Sequence, residues 1–136
     1  MPLLVDTGVL FALADRRDAW HARVRSLFEE TREPLLAPVT ILPEVTYLLA
    51  TRLGAHAEQA FVRSLAEGEL AVEHLRAADC RRAQELLEQW PAIGFVDASV
   101  VAMAERLKVH VIATTDHRHF AAIRPKHVPH FTLVPS

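Results

Sequence analysis

The chain has 136 residues, 51% of them apolar and 24% charged, a balance that fits one globular domain rather than a disordered tail. A net charge of −2 leaves no polybasic footprint of the kind duplex-DNA binders carry. One cysteine, Cys80, excludes an internal disulfide and a cysteine-based zinc cluster, and no apolar run is long enough to span a membrane. With no charged-then-apolar leader ahead of Asp6, a cytoplasmic protein is the expectation.

Leu3-Leu4-Val5 has the pattern of a strand buried on both faces. Asp6 breaks the run, Thr7 and Gly8 follow, and apolar residues return at Val9, Leu10 and Leu13 with helical spacing. A strand passing directly into a helix places Asp6 at the carboxyl end of a central strand, the edge where ligands bind in open α/β sheets. Taken alone, Asp6 reads equally well as the cap of that helix.

Asp18 can cap a second helix reaching about Glu30, with Trp20, Val24, Leu27 and Phe28 on its inner face. His21 on that helix is a surface or interface histidine with no catalytic role. Leu35 to Val39 is a second strand, with Pro38 suited to its end. Thr40 is the expected cap of the next helix, Pro43 fits its first turn, and Ile41, Val45, Leu48 and Leu49 form its stripe. Gly54 stops it. Glu44 lies near its start, where the helix dipole favours an acid in any case.

His56 to Glu67 reads as an amphipathic helix with Ala57, Ala60, Phe61 and Leu65 inward. Leu70 to Leu75 reads as a half-buried edge strand. Ala77 to Trp90 is helical, with Ala83, Leu86, Leu87 and Trp90 packed, Cys80 a small packed residue and Asp79 compensating the dipole. Ile93 to Ser99 leads into a long helix with Asp97 at its amino end and Val96, Val100, Met103, Ala104 and Leu107 as its stripe. Val109 to Asp116 is a buried strand ending in Thr-Thr-Asp. His117 to Phe120 opens a short helix, and Phe131 to Val134 is the last strand. Strands separated by helices give repeated βα units and therefore a parallel sheet.

Strand carboxyl ends and helix amino ends share one edge of a parallel sheet, so Asp6, Glu44, Asp97 and Asp116 can converge there if the strands of Asp6 and Asp116 are neighbours. Crowded carboxylates raise one another's pKa values and lower stability. Their usual justification is a hard divalent cation such as magnesium, and two such ions can activate water and stabilise a leaving oxygen in phosphodiester cleavage.

Val5-Asp6-Thr7, Pro43-Glu44-Val45, Val96-Asp97-Ala98-Ser99 and Thr114-Thr115-Asp116-His117-Arg118-His119-Phe120 resemble the motifs of PIN domains, and most of all the VapC-type toxins of type II toxin–antitoxin pairs. The resemblance covers essentially the whole chain. It implies a single PIN-like domain over residues 1–136, a three-layer α/β/α sandwich with a five-stranded parallel sheet of order 3-2-1-4-5. It further implies a Mg2+- or Mn2+-dependent endoribonuclease, a homodimer and a small antitoxin partner. By position, Asp6, Glu44, Asp97 and Asp116 match the family's acidic set, and Thr7 and Thr115 the hydroxyl residues beside it. On this reading Asp6, Asp97 and Asp116 hold the metal, with Glu44 binding it or orienting its water. Arg118, with His117 and His119, contacts the phosphates of single-stranded or looped RNA, since the near-neutral chain has little charge to grip a duplex. The helices carrying Trp20, Leu27 and Phe28, and Val45 to Leu49, are the expected walls of an antitoxin groove.

One position departs from the resemblance. Gly8 stands where relatives often carry Ser or Asn, which removes one possible hydrogen bond. The same glycine argues against an Asp-nucleophile phosphatase, which needs a second acid there. A receiver-like domain lacks its adjacent acids and lysine, and four glycines form no dinucleotide-binding turn. The alternative from another class is a non-catalytic PIN-like module that binds RNA or protein.

Overall fold

The computed structural model describes all 136 residues. In order, its elements are β1 (Leu3–Val5), α1 (Thr7–Ala14), α2 (His21–Glu30), β2 (Leu35–Pro38), α3 (Leu42–Arg52), α4 (Ala55–Ala66), β3 (Ala71–Glu73), α5 (Ala77–Gln89), α6 (Gly94–Leu107), β4 (Val111–Ala113), α7 (His117–Ala122) and β5 (Thr132–Val134). Single 3-10 turns at Val39–Ile41 and Pro91–Ile93 lead into α3 and α6.

The strands form one parallel sheet of order β3-β2-β1-β4-β5 with helices on both faces. β1 is central because all three of its residues are apolar and none needs water; they are buried between the helical layers. Leu3 and Leu4 pair with Leu35 and Leu36 on one side, and Leu4 and Val5 pair with Ile112 and Ala113 on the other. β3 is an edge strand, as its alternation suggests, with Ala71 exposed.

α6 is buried continuously from Ala98 to Glu105, which a single apolar stripe did not suggest. Small residues on its other faces, Ala98, Ser99 and Ala102, let α5 and the sheet approach it closely. Two ion-pair groups lock it to α5. Arg106 reaches Asp79 at 2.9 Å and Glu73 at 2.9 Å, and Arg82 reaches Glu105 at 2.7 Å. Asp79 stands in the first turn of α5 as expected but does more than compensate the dipole: it is 2% exposed, paired with Arg106, and accepts the backbone N–H of the N-cap residue Arg76.

Four other local expectations need correction. Thr40 does not cap α3, because the 3-10 turn makes its backbone helical rather than extended, and its hydroxyl meets Ser99 Oγ at 2.6 Å. Cys80 is exposed rather than packed. The strand expected over Val109 to Asp116 shortens to β4, because the Val109 amide closes α6 on the Ala104 carbonyl and Thr114 turns the chain away. Ala60 on α4 is exposed too, since α4 packs mainly on α3 and buries no residue fully. This leaves an apolar groove of about 430 Å³ between α1, α2 and α4, lined by Leu10, Phe28, Leu49, Phe61 and Leu70 among others. Val45 belongs to the core, so only the Leu49 end of α3 reaches the groove.

Candidate active site

Asp6 directly follows β1, and its amide donates to Ala113 O at 2.9 Å, so the sheet itself fixes its backbone. It precedes α1 in extended conformation, yet its carboxylate makes no capping bond into that helix. Instead Oδ2 accepts from Thr114 Oγ1 at 3.0 Å. Thr114 is fully buried, its own amide donates to Val134 O, and its hydroxyl oxygen accepts the Asp116 amide at 2.9 Å. One side chain thus ties the acid after β1 to the acid after β4.

Glu44 lies in the first turn of α3 and accepts from Thr7 Oγ1 at 2.8 Å. Asp97 lies in the first turn of α6. That turn is clipped by Ser99, whose hydroxyl donates to Val96 O at 2.6 Å, so Thr40 must be the donor in the Thr40–Ser99 contact. The clip joins the loop ahead of Glu44 to the turn that carries Asp97. Asp116 caps α7 by accepting the His119 amide at 3.2 Å.

The structure brings the four acids together, and their proton affinities record it. Burial raises the pKa of Asp6; the Thr7 amide and Thr114 hydroxyl oppose the rise, and the charges of Glu44 and Asp116 add to it. Asp97 is pushed up to about 7, first by burial and then by the charges of Asp6 and Asp116, with the nearby His119 acting the other way. Raised proton affinities at Asp6 and Asp97 mark an edge that lacks positive charge.

The flanking residues divide. Arg118 is exposed. His117 packs its ring 5.3 Å from that of Trp20, whose face is also covered by the Arg23 guanidinium at 3.9 Å. His119 turns inward: its Nδ1 lies 2.8 Å from Asp116 Oδ2 and 3.7 Å from Asp97 Oδ2. Thr115 has its hydroxyl against α1, where a Cβ on Gly8 would overlap Thr115 Oγ1 and lie 3.3 Å from its Cβ. Gly8 is therefore required by close approach, and the space a side chain would fill there belongs to Thr115. The hydroxyl that touches Asp6 is that of Thr114, a residue the motif reading passed over. Strand alternation could have found it, since Ile112, Thr114 and Asp116 fall on the same side of an extended chain.

These residues fit a divalent cation. The donors are carboxylate oxygens on rigid strand and helix ends, and one buried ring nitrogen, His119 Nδ1, makes no hydrogen bond. One oxygen each from Asp97 and Asp116 lies with that nitrogen in a group no more than 4.8 Å across.

The family model for the PIN domain matches residues 3–125. The chain belongs to the PIN-domain family. Ribonuclease VapC26 of Mycobacterium tuberculosis (strain ATCC 25618 / H37Rv) is 33% identical over 135 residues, spanning 98% of this chain and 100% of the relative. The crystal structure of M. tuberculosis VapC20, described as a Sarcin-Ricin loop cleaving toxin, superposes with a TM-score of 0.75 at 26% identity, covering 81% of this chain and 86% of that one. A toxin–antitoxin complex from Klebsiella pneumoniae gives 0.70 at 20% identity over 95% and 98% of the two chains, a likeness of fold. Within the PIN domains the chain thus groups with the VapC proteins, and its sheet order is the one the motifs imply.

Proposed function

We propose that this VapC-type PIN domain is a Mg2+- or Mn2+-dependent endoribonuclease that cuts single-stranded or looped RNA as the toxin of a toxin–antitoxin pair. The observation that carries this reading is the convergence of Asp6, Glu44, Asp97 and Asp116 at one edge, where burial and mutual repulsion leave Asp97 with a pKa of about 7. A cation bound there would neutralise that charge and lower the pKa of its water toward neutrality. Asp6, Asp97 and Asp116 are the residues proposed to hold it. Glu44, fixed by the Thr7 hydroxyl, orients water at the same edge. Thr114 keeps Asp6 and Asp116 in register, and exposed Arg118 meets the phosphates of the bound strand.

The related VapC26 is named a ribonuclease and VapC20 a toxin, which supports both halves of the proposal. The antitoxin is assigned to the apolar groove between α1, α2 and α4, open enough to take the apolar face of a helix. A homodimer is part of the reading, with exposed Tyr47 and Phe95 as apolar surface for a second copy to cover.

The test is RNA cleavage by purified protein with Mg2+ or Mn2+. Asp6→Asn and Asp97→Asn should each abolish cleavage while leaving the circular dichroism spectrum unchanged. Undiminished cleavage by either variant overturns the assignment. Metal binding without any RNA cleavage by the parent favours the binding-module alternative.

A further inference from the structure

His119 is the residue whose placement the acid-cluster reading does not use. Its Nδ1 is buried and makes no hydrogen bond. Asp116 Oδ2 stands only 2.8 Å away, but off the direction in which a ring N–H would point, so the two do not form one. The second acid, Asp97 Oδ2, is 3.7 Å away. Protonated, His119 pairs with the two carboxylates; unprotonated, its Nδ1 and their oxygens turn three lone-pair donors toward one point, an arrangement that a cation would satisfy. The backbone holds the ring there: the His119 amide is bonded to Asp116 Oδ1, and the next residue, Phe120, is fully buried.

The spacing matches a coordination sphere. An octahedral ion with donors at about 2.1 Å has neighbouring donors about 3.0 Å apart and opposite donors about 4.2 Å apart. The 2.8 Å separation is close to that of neighbouring donors, and 3.7 Å falls between neighbouring and opposite donors, so a small shift of the His119 ring would seat all three on one ion. We propose that His119 Nδ1 is a direct ligand of the cation, together with Asp97 and Asp116, and that this nitrogen tilts the site toward Mn2+ and later transition ions over Mg2+. This inference rests on the metal-dependent reading above and deepens it by naming the ion. Magnesium and manganese are both served well by carboxylate, carbonyl and water oxygens and imidazole suits zinc, iron, nickel and copper best, but manganese, as a transition ion, accepts a ring nitrogen more readily than magnesium does. His117 also has a buried ring nitrogen without a hydrogen bond, Nε2, but its ring packs tilted against Trp20 and it is no part of the Asp97–Asp116 group.

The experiment is electron spin-echo envelope modulation on protein loaded with one equivalent of Mn2+, alongside Mn2+ and Mg2+ affinities by calorimetry. The parent and His117→Ala should show 14N modulation from a directly bound nitrogen, and His119→Ala should lose it. His119→Ala should weaken Mn2+ binding by about tenfold or more. Mg2+ binding should change by less than about threefold. His119→Asp, which restores an oxygen donor, should bind Mg2+ at least as tightly as the parent. If Mn2+ binds and supports cleavage with no 14N modulation, His119 is not a ligand and the nuclease reading stands. If Mn2+ does not bind the parent, or binds equally well to a variant with both Asp97→Asn and Asp116→Asn, the metal site itself is refuted.

Discussion

Replacing Asp97 by Asn should stabilise the metal-free protein, by an amount that grows from about pH 4 to about pH 7 and then holds. The Asp97 carboxyl has a pKa of about 7 in the fold against 3.8 as the unperturbed value. Because the folded pKa is the higher one, the folded state binds the extra proton between those two pH values. Stability therefore falls as pH rises through that window and levels off above about 7. At about 1.4 kcal/mol per pH unit, the full penalty above pH 7 is about 4 kcal/mol. Asn keeps the shape and cannot ionise, but the neighbouring acids relax only in part, so a gain of about 2–4 kcal/mol is expected at pH 8. The assay is urea denaturation in EDTA at pH 5 and pH 8. The parent should lose stability between the two, and Asp97→Asn should lose much less. Divalent cation offsets most of that gain, since saturating a site at a hundred times its dissociation constant adds about 2.7 kcal/mol to the parent. A variant no more stable than the parent at pH 8 in EDTA refutes the argument that these acids are in conflict.

Thr114→Val removes the donor to Asp6 and the acceptor of the Asp116 amide in a fully buried place, and should lower stability by about 1–3 kcal/mol in urea melts. It should also weaken Mn2+ binding increasingly as pH falls, because losing the Thr114 hydroxyl raises the Asp6 pKa further. Gly8→Ala should impair cleavage and thermal stability through its overlap with Thr115, and adding Thr115→Ala should recover much of both; a double variant as poor as the single one rejects that contact. Arg118→Ala should weaken binding of single-stranded RNA and reduce the salt slope by about 0.7, measured by fluorescence anisotropy from low to moderate salt.

The sheet was legible because its strands are short, mostly apolar runs between helices of recognisable period, which leaves few parallel arrangements. The four acids were legible because each follows a strand or opens a helix. What escaped the sequence was long-range pairing. Nothing local says that Asp79 will meet Arg106, or that Thr40 will bond Ser99 rather than cap its own helix. The roles of the histidines escaped for the same reason: adjacent in the chain to Asp116, His117 and His119 turn to opposite partners, one to Trp20 and one to the carboxylates. Gly8 read as a missing side chain, and only the fold reveals the threonine that stands in its space.

The order of the strands also sets a timetable. β1 is completed on its far side by β4, and the acids it gathers are at positions 6, 44, 97 and 116. Translation at about 5–20 residues per second puts roughly 5–20 s between the synthesis of Asp6 and that of Asp116. Throughout that interval the nascent chain has no complete acidic edge and so lacks the site proposed for cleavage. The groove, by contrast, draws its lining from Leu10 to Leu70. Its last wall emerges before Asp97 is made. A partner that recognises the groove can be seated on a chain that is not yet an enzyme, so restraint is available before the capacity for damage exists.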